Sequence, residues 1–112
     1  VLKIAANGHL VITTMHGSDI PTAIKRFIGM AAAYGSTSIE EVNSMFSSVF
    51  RLLIHQRMGM SSDGKKVLIP RVLVSPGATS SVATRLREGK VEMLATELQE
   101  KKEKMISGRP II

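Results

Sequence analysis

The feature that most constrains this chain is a strand-like run that passes straight into a helix. His9-Leu10-Val11-Ile12-Thr13-Thr14 is short, apolar and β-branched, bounded by Asn7-Gly8 and by His16-Gly17-Ser18-Asp19, the pattern of a strand buried in a sheet. Ile20, Ala23, Ile24, Phe27, Ile28 and Ala31 then fall on one helical stripe. Ser18 or Asp19 can cap that helix, and Pro21 is tolerated in its first turn. A strand feeding a helix in this way predicts an α/β fold.

The rest of the chain extends the prediction. Gly35 breaks the first helix, and Ser38-Ile39-Glu40-Glu41 matches a capping box, with serine at the cap and glutamate three residues on. Val42, Met45, Phe46, Val49, Phe50 and Leu53 continue as a second amphipathic helix, expected to reach about His55. Ser61-Ser62-Asp63-Gly64 is a turn between Gln56–Met60 and Lys66–Val74, which predicts a hairpin with Pro70 pushing its second strand to an edge. A short helix is expected from about Ser81 to a stop at Gly89. Val91, Leu94, Leu98 and Met105 mark a last, charged helix ended by Gly108 and Pro110. Because an element begins at Leu2-Lys3-Ile4-Ala5-Ala6 directly after Val1, the sequence reads as part of something longer.

Composition narrows the chemistry. The chain has 112 residues, enough for one hydrophobic core. It contains no cysteine, which excludes a disulfide scaffold, a thiolate zinc site and a thiol nucleophile. No apolar run approaches the roughly 18 residues that span a bilayer. The net charge of +6 lies wholly in residues 51–112, since Lys3, Lys25 and Arg26 balance Asp19, Glu40 and Glu41 before them. A basic half invites a polyanion partner. Lys101, Lys102 and Lys104, however, alternate with Glu97, Glu100 and Glu103 as on a solvated helix, and the few aromatic residues argue against a nucleic-acid stacking platform.

Candidate chemistry gathers after the first strand. In open α/β sheets ligands bind at the carboxyl ends of strands, where Thr14, His16, Gly17 and Ser18 would lie. His16 could hydrogen-bond a phosphate oxygen, and Thr14 could do the same or orient a water; a lone histidine in such a position is more often structural. His9 and His16 would lie roughly 20 Å apart along extended chain, too far to share a metal. The chain has no Gly-x-Ser-x-Gly elbow and no Gly-x-x-x-x-Gly-Lys-Ser/Thr phosphate loop.

The stretch Gly8-His9-Leu10-Val11-Ile12-Thr13-Thr14-Met15-His16-Gly17-Ser18-Asp19-Ile20-Pro21-Thr22-Ala23-Ile24-Lys25-Arg26 resembles the His box and following helix of the type II/IV secretion and pilus ATPase superfamily. His55-Gln56-Arg57-Met58 is similar to that family's Ser-Gln-x-Leu segment. Asp63-Gly64-Lys65-Lys66-Val67 is similar to its Gly-Arg-Arg-Val hairpin, and Arg87-Glu88-Gly89-Lys90 to its Arg-Glu-Gly-Lys motif. The resemblance implies the C-terminal portion of a RecA-like P-loop ATPase, mainly helical with a strand and a hairpin. Residues 1–75 would belong to the ATPase core and residues 76–112 to a helical extension. Absence of the Cys-Pro-x-x-Cys zinc element favours the retraction, conjugation or Dot/Icm-like branches.

The resemblance further implies catalytic roles for His16, His9 and Thr14, with His16, Gly17 and Ser18 at bound ATP and Mg2+, and no protein-ligated metal. ATP would be gripped by a half of the domain outside this sequence, so the chain alone is expected to be inactive. Arg85, Arg87 and Lys90 would serve subunit packing in a homo-oligomeric ring, usually a hexamer. That ring would be cytoplasmic, peripheral at a bacterial inner membrane, and would act on a membrane-embedded secretion or pilus machine. Two other classes stay open on sequence alone: a non-catalytic docking module for such a machine, and a basic nucleic-acid-binding domain.

Overall fold

A computed structural model describes residues 2–35 and 37–110. In chain order the elements are α1 (Leu2–Ala6), α2 (Ile20–Gly35), α3 (Ile39–Val49), β1 (Leu52–Met60), β2 (Lys66–Val74), α4 (Ser81–Arg87), a 3-10 turn (Val91–Leu94) and α5 (Ala95–Ser107). About half of the chain is helical, and its sheet is a single antiparallel pair. The α/β class is therefore observed.

Helix α2 starts where the sequence asks it to. The Asp19 carboxylate accepts the backbone N–H of Thr22 at 2.8 Å, satisfying a donor that the first turn leaves without a helical partner. That bond is the main reason the Asp19 carboxyl lies below its ordinary 3.8, with the charges of His55 and Lys25 adding to it. A lowered folded value means that the cap stabilises the native state above about pH 4 and loses its contribution as the pH falls through the folded value. Asp19→Ala should cost about 1 kcal/mol at neutral pH, as expected for an N-cap. Asp19→Asn, which keeps the acceptor, should cost much less. Chemical denaturation across pH 2.5–7, a range chosen to bracket the ordinary aspartate value of about 3.9, checks both; an unchanged difference between wild type and Asp19→Ala down to the acid end would remove the cap assignment.

Helix α3 carries half of its capping box. Ser38 Oγ accepts the Glu41 N–H at 3.2 Å, whereas the Glu41 carboxylate is taken by the Thr37 hydroxyl. The helix does not run to His55. It ends at Val49, because Phe50 turns to φ −64°, ψ 133°, an extended conformation. The hairpin is correspondingly longer than expected at its first strand, starting at Leu52 rather than Gln56, while β2 spans the expected residues. Leu53 is thus a strand residue whose apolar side chain happened to continue a helical spacing. Helix α4 is capped by Ser80 and followed by Gly89 at φ +73°, and α5 closes on Gly108 at φ +73°. At the latter, Arg109 N–H donates to Lys104 O and Gly108 N–H to Met105 O, a left-handed stop that favours glycine.

The expected strand His9–Thr14 does not form. Residues 9–17 are irregular backbone joined to no ladder. A strand needs a neighbour for its N–H and C=O groups, and among the described residues only β1 and β2 pair, with each other. Leu10 and Ile12 consequently point outward, 89% and 86% exposed.

One core joins the helices to the inner end of the hairpin. Ile20, Ile24, Ile28 and Ala32 of α2 meet Val42 and Phe46 of α3, Phe50, Leu73 of β2, Val82 and Leu86 of α4, and Val91 and Leu94. Phe46 stacks obliquely on Phe27 and Phe50, with ring centroids 5.3 and 5.1 Å apart, a favourable aromatic spacing. The core draws on both sides of Ser75. With axes of 50 × 26 × 26 Å the radius of gyration is 15.0 Å, above the ~13 Å of a rounded chain of this size. The apolar outer face of the hairpin is covered at Val72 and Val74 of β2 but open elsewhere, with Leu52, Ile54, Met58 and Leu68 more than half exposed.

Candidate functional site

Side chains alternate across the hairpin, so Leu53, His55 and Arg57 of β1 share a face with their direct partners Leu73, Arg71 and Ile69 of β2. At the Leu53–Leu73 end this face enters the core, where Leu73 is fully buried. Further along, His55, Arg57 and Arg71 emerge into an open cleft of about 340 Å³. Its other walls are residues 18–21 at the start of α2 and Ala95, Leu98 and Gln99 of α5.

The segment carrying the sequence-predicted residues is tied to this cleft at Gly17. His55 Nε2 lies 2.8 Å from the Gly17 carbonyl oxygen. A carbonyl can only accept, so the proton of this bond is on His55 Nε2 and the ring donates. Gly17 also passes close to α2: a Cβ built there would stand 2.7 Å from Ala23 Cβ and 3.0 Å from Ala23 Cα. Glycine is needed at this position because the obstacle includes the helix backbone and cannot swing aside. Gly59 differs, since a Cβ there would meet only the end of the Ile69 side chain.

His9, Thr14 and His16 are not brought together in a pocket. All three are exposed. His9 Nδ1 lies 3.2 Å from the Ile4 carbonyl at the end of α1, which fixes the His9 ring beside α1. Thr14 and His16 make no side-chain hydrogen bond among the described residues, so both keep donors and acceptors available. Ser18 lines the cleft beside Asp19. No group of three or more carboxylate or imidazole side chains among the described residues is arranged to hold a metal ion.

The residues expected at a subunit contact have internal partners. Arg85 donates to the Met93 carbonyl and lies 3.7 Å from Glu97, joining α4 to the start of α5. Arg87 Nη2 donates to the Ala78 carbonyl at 2.7 Å, and Lys90 pairs with Glu88 at 3.2 Å. Exposed pairs of the last kind contribute little to stability.

Sequence reasoning placed a ligand-facing cluster at residues 14–18 and did not single out the roles of His55, Arg57 or Arg71. No local signal marks them, because their meeting with Ser18 depends on hairpin register and on how the hairpin packs against α2. The chain matches no protein-family model and no curated protein sequence.

Proposed function

We propose that this chain supplies the His-box wall of the nucleotide site in a secretion-, pilus- or conjugation-type motor ATPase. The observation that carries the reading is the uncovered segment before α2. Leu10 and Ile12 are almost fully exposed on backbone without a ladder. An apolar, β-branched segment of this kind is stabilised by insertion between other strands. The open part of the hairpin's outer face, at Leu52, Ile54, Met58 and Leu68, has the same character, and exposed apolar patches mark surfaces that meet a partner. A RecA-like half-domain bearing the phosphate loop and further strands would cover both. The run from Gly8 to Arg26, with its His-box pattern, belongs to this reading.

In the completed site, His16 and Thr14 offer hydrogen bonds to phosphate oxygens from side chains that engage no other group among the described residues. Gly17, fixed between His55 and Ala23, sets where that pair stands. His9, held at Ile4, shapes the wall. ATP with Mg2+ would supply the phosphoryl group and most of its charge neutralisation, through residues of the other half. The motor would work as a ring on a membrane-embedded machine at the cytoplasmic face.

The test pairs this chain with the coding sequence upstream of Val1. The purified chain should hydrolyse no ATP, whereas the polypeptide extended upstream should carry a Gly-x-x-x-x-Gly-Lys-Ser/Thr loop and turn ATP over. Turnover by the chain alone that survives repurification, or an upstream sequence without that loop, would overturn the assignment.

A further inference from the structure

We infer that the cleft between the start of α2, the hairpin and α5 binds the phosphate group of a small phosphomonoester. The inference starts from which arginines are already engaged. Arg51 donates to the Ser48 and Phe50 carbonyls, Arg85 to Met93, Arg87 to Ala78 and Arg109 to Ser107. Arg57 and Arg71 make no side-chain hydrogen bond and no ion pair among the described residues, and both line the cleft. Arg26 is likewise unengaged but does not line it.

The hairpin register makes this pairing unusual. His55 and Arg71 are direct cross-strand partners, and Arg57 follows His55 by two residues on the same face. Arg57 and Arg71 are thus diagonal neighbours across the ladder, like charges on one sheet face repel one another, and Arg71 is half-buried there. An anion between the two guanidinium groups removes that repulsion. Two planar forks and the Ser18 hydroxyl offer more donors than a carboxylate can accept, whereas the oxygens of a phosphate can take them.

Asp19 also lines the cleft and limits the charge it can hold. One oxygen of its carboxylate accepts the Thr22 N–H, and the positive end of α2 offsets part of its field. The α5 wall is different in character: Ala95 and Leu98 give the cleft an apolar side. At about 340 Å³ the space is at the small end of ligand sites, which suits a phosphate carrying a compact apolar body. This site does not depend on the ATPase reading, because His16 and Thr14 lie outside it.

Titration of the 15N-labelled chain with inorganic phosphate and, separately, with phenyl phosphate tests the proposal. Both should shift the amides of Ser18, Asp19 and Ile20 and the Nε–H signals of Arg57 and Arg71. Tighter binding of phenyl phosphate would show that the Ala95–Leu98 wall takes part, and equal binding that the phosphate group alone is recognised; either supports a phosphate site. Replacing both arginines (R57Q with R71Q) should weaken binding at least about tenfold, the effect of one lost charged contact. Lys101→Gln with Lys102→Gln removes the same charge elsewhere and should leave binding unchanged. If the double arginine variant is misfolded by circular dichroism, the exposed Arg57→Gln alone carries the comparison. Absent shifts at the cleft, or equal weakening by the lysine variant, would overturn the proposal.

Discussion

Leu86→Ala should lower the stability of the chain by about 2–5 kcal/mol, the usual range for removing a buried leucine side chain. Leu86 is 0% exposed, on a short helix whose Val82 is buried in the same cluster as Phe46, Val91 and Leu94. The void would open where α4 meets both α3 and the 3-10 turn, and neighbours on three elements would have to move to fill it. Against a total of about 5–15 kcal/mol for a domain of this size, that is a large fraction. Leu10→Ala, at an 89% exposed position, should stay within about 0.5 kcal/mol. Urea midpoints for the two variants, measured with the slope checked for constancy, give the comparison. A loss below about 1 kcal/mol for Leu86→Ala, or an equal loss for Leu10→Ala, would contradict the observed core.

The helices were legible because their determinants are local. The stripe from Ile20 to Ala31 and the caps at Asp19 and Ser38 lie within a few residues of what they organise. The two errors in the element pattern have one physical source. A strand is defined by its neighbour, and no local rule says whether a neighbour is present. His9–Thr14 has strand composition but no ladder, and Leu53 belongs to a ladder although its spacing continues a helix. The hairpin turn was readable, since Ser61-Ser62-Asp63-Gly64 carries its own signals, with Gly64 at φ +81°.

The site was legible only in part for the same reason. Thr14, His16, Gly17 and Ser18 stand out as the carboxyl end of an expected strand; that strand does not form, although Ser18 does line a cleft. What anchors that stretch is His55, whose bond to the Gly17 carbonyl crosses between separate elements. The small size of Gly17 could be read from the sequence, but the need for it could not, because the obstacle is Ala23 one turn into α2. Arg57 and Arg71 acquire significance from register: a slip of one residue would send one of them to the opposite face.

If the proposed ATPase function holds, then in a polypeptide extended to include a phosphate-gripping half His16→Ala should lower ATP turnover about 100-fold, the scale for removing one donor aimed at developing charge. ATP affinity should change little, because a contact that strengthens only in the transition state affects kcat and not ground-state binding. Stability should not change either, since His16 is exposed and makes no side-chain hydrogen bond among the described residues. His55→Ala supplies the contrast. It breaks the Gly17 anchor, so it should also slow turnover, with a measurable loss of about 1 kcal/mol in stability from the missing hydrogen bond. A stability loss in His55→Ala but not in His16→Ala, with turnover reduced in both, separates a residue that meets the phosphates from one that positions the segment. Unchanged turnover in His16→Ala would leave the exposed segment as a packing surface only, and the ATPase reading would lose its catalytic residue.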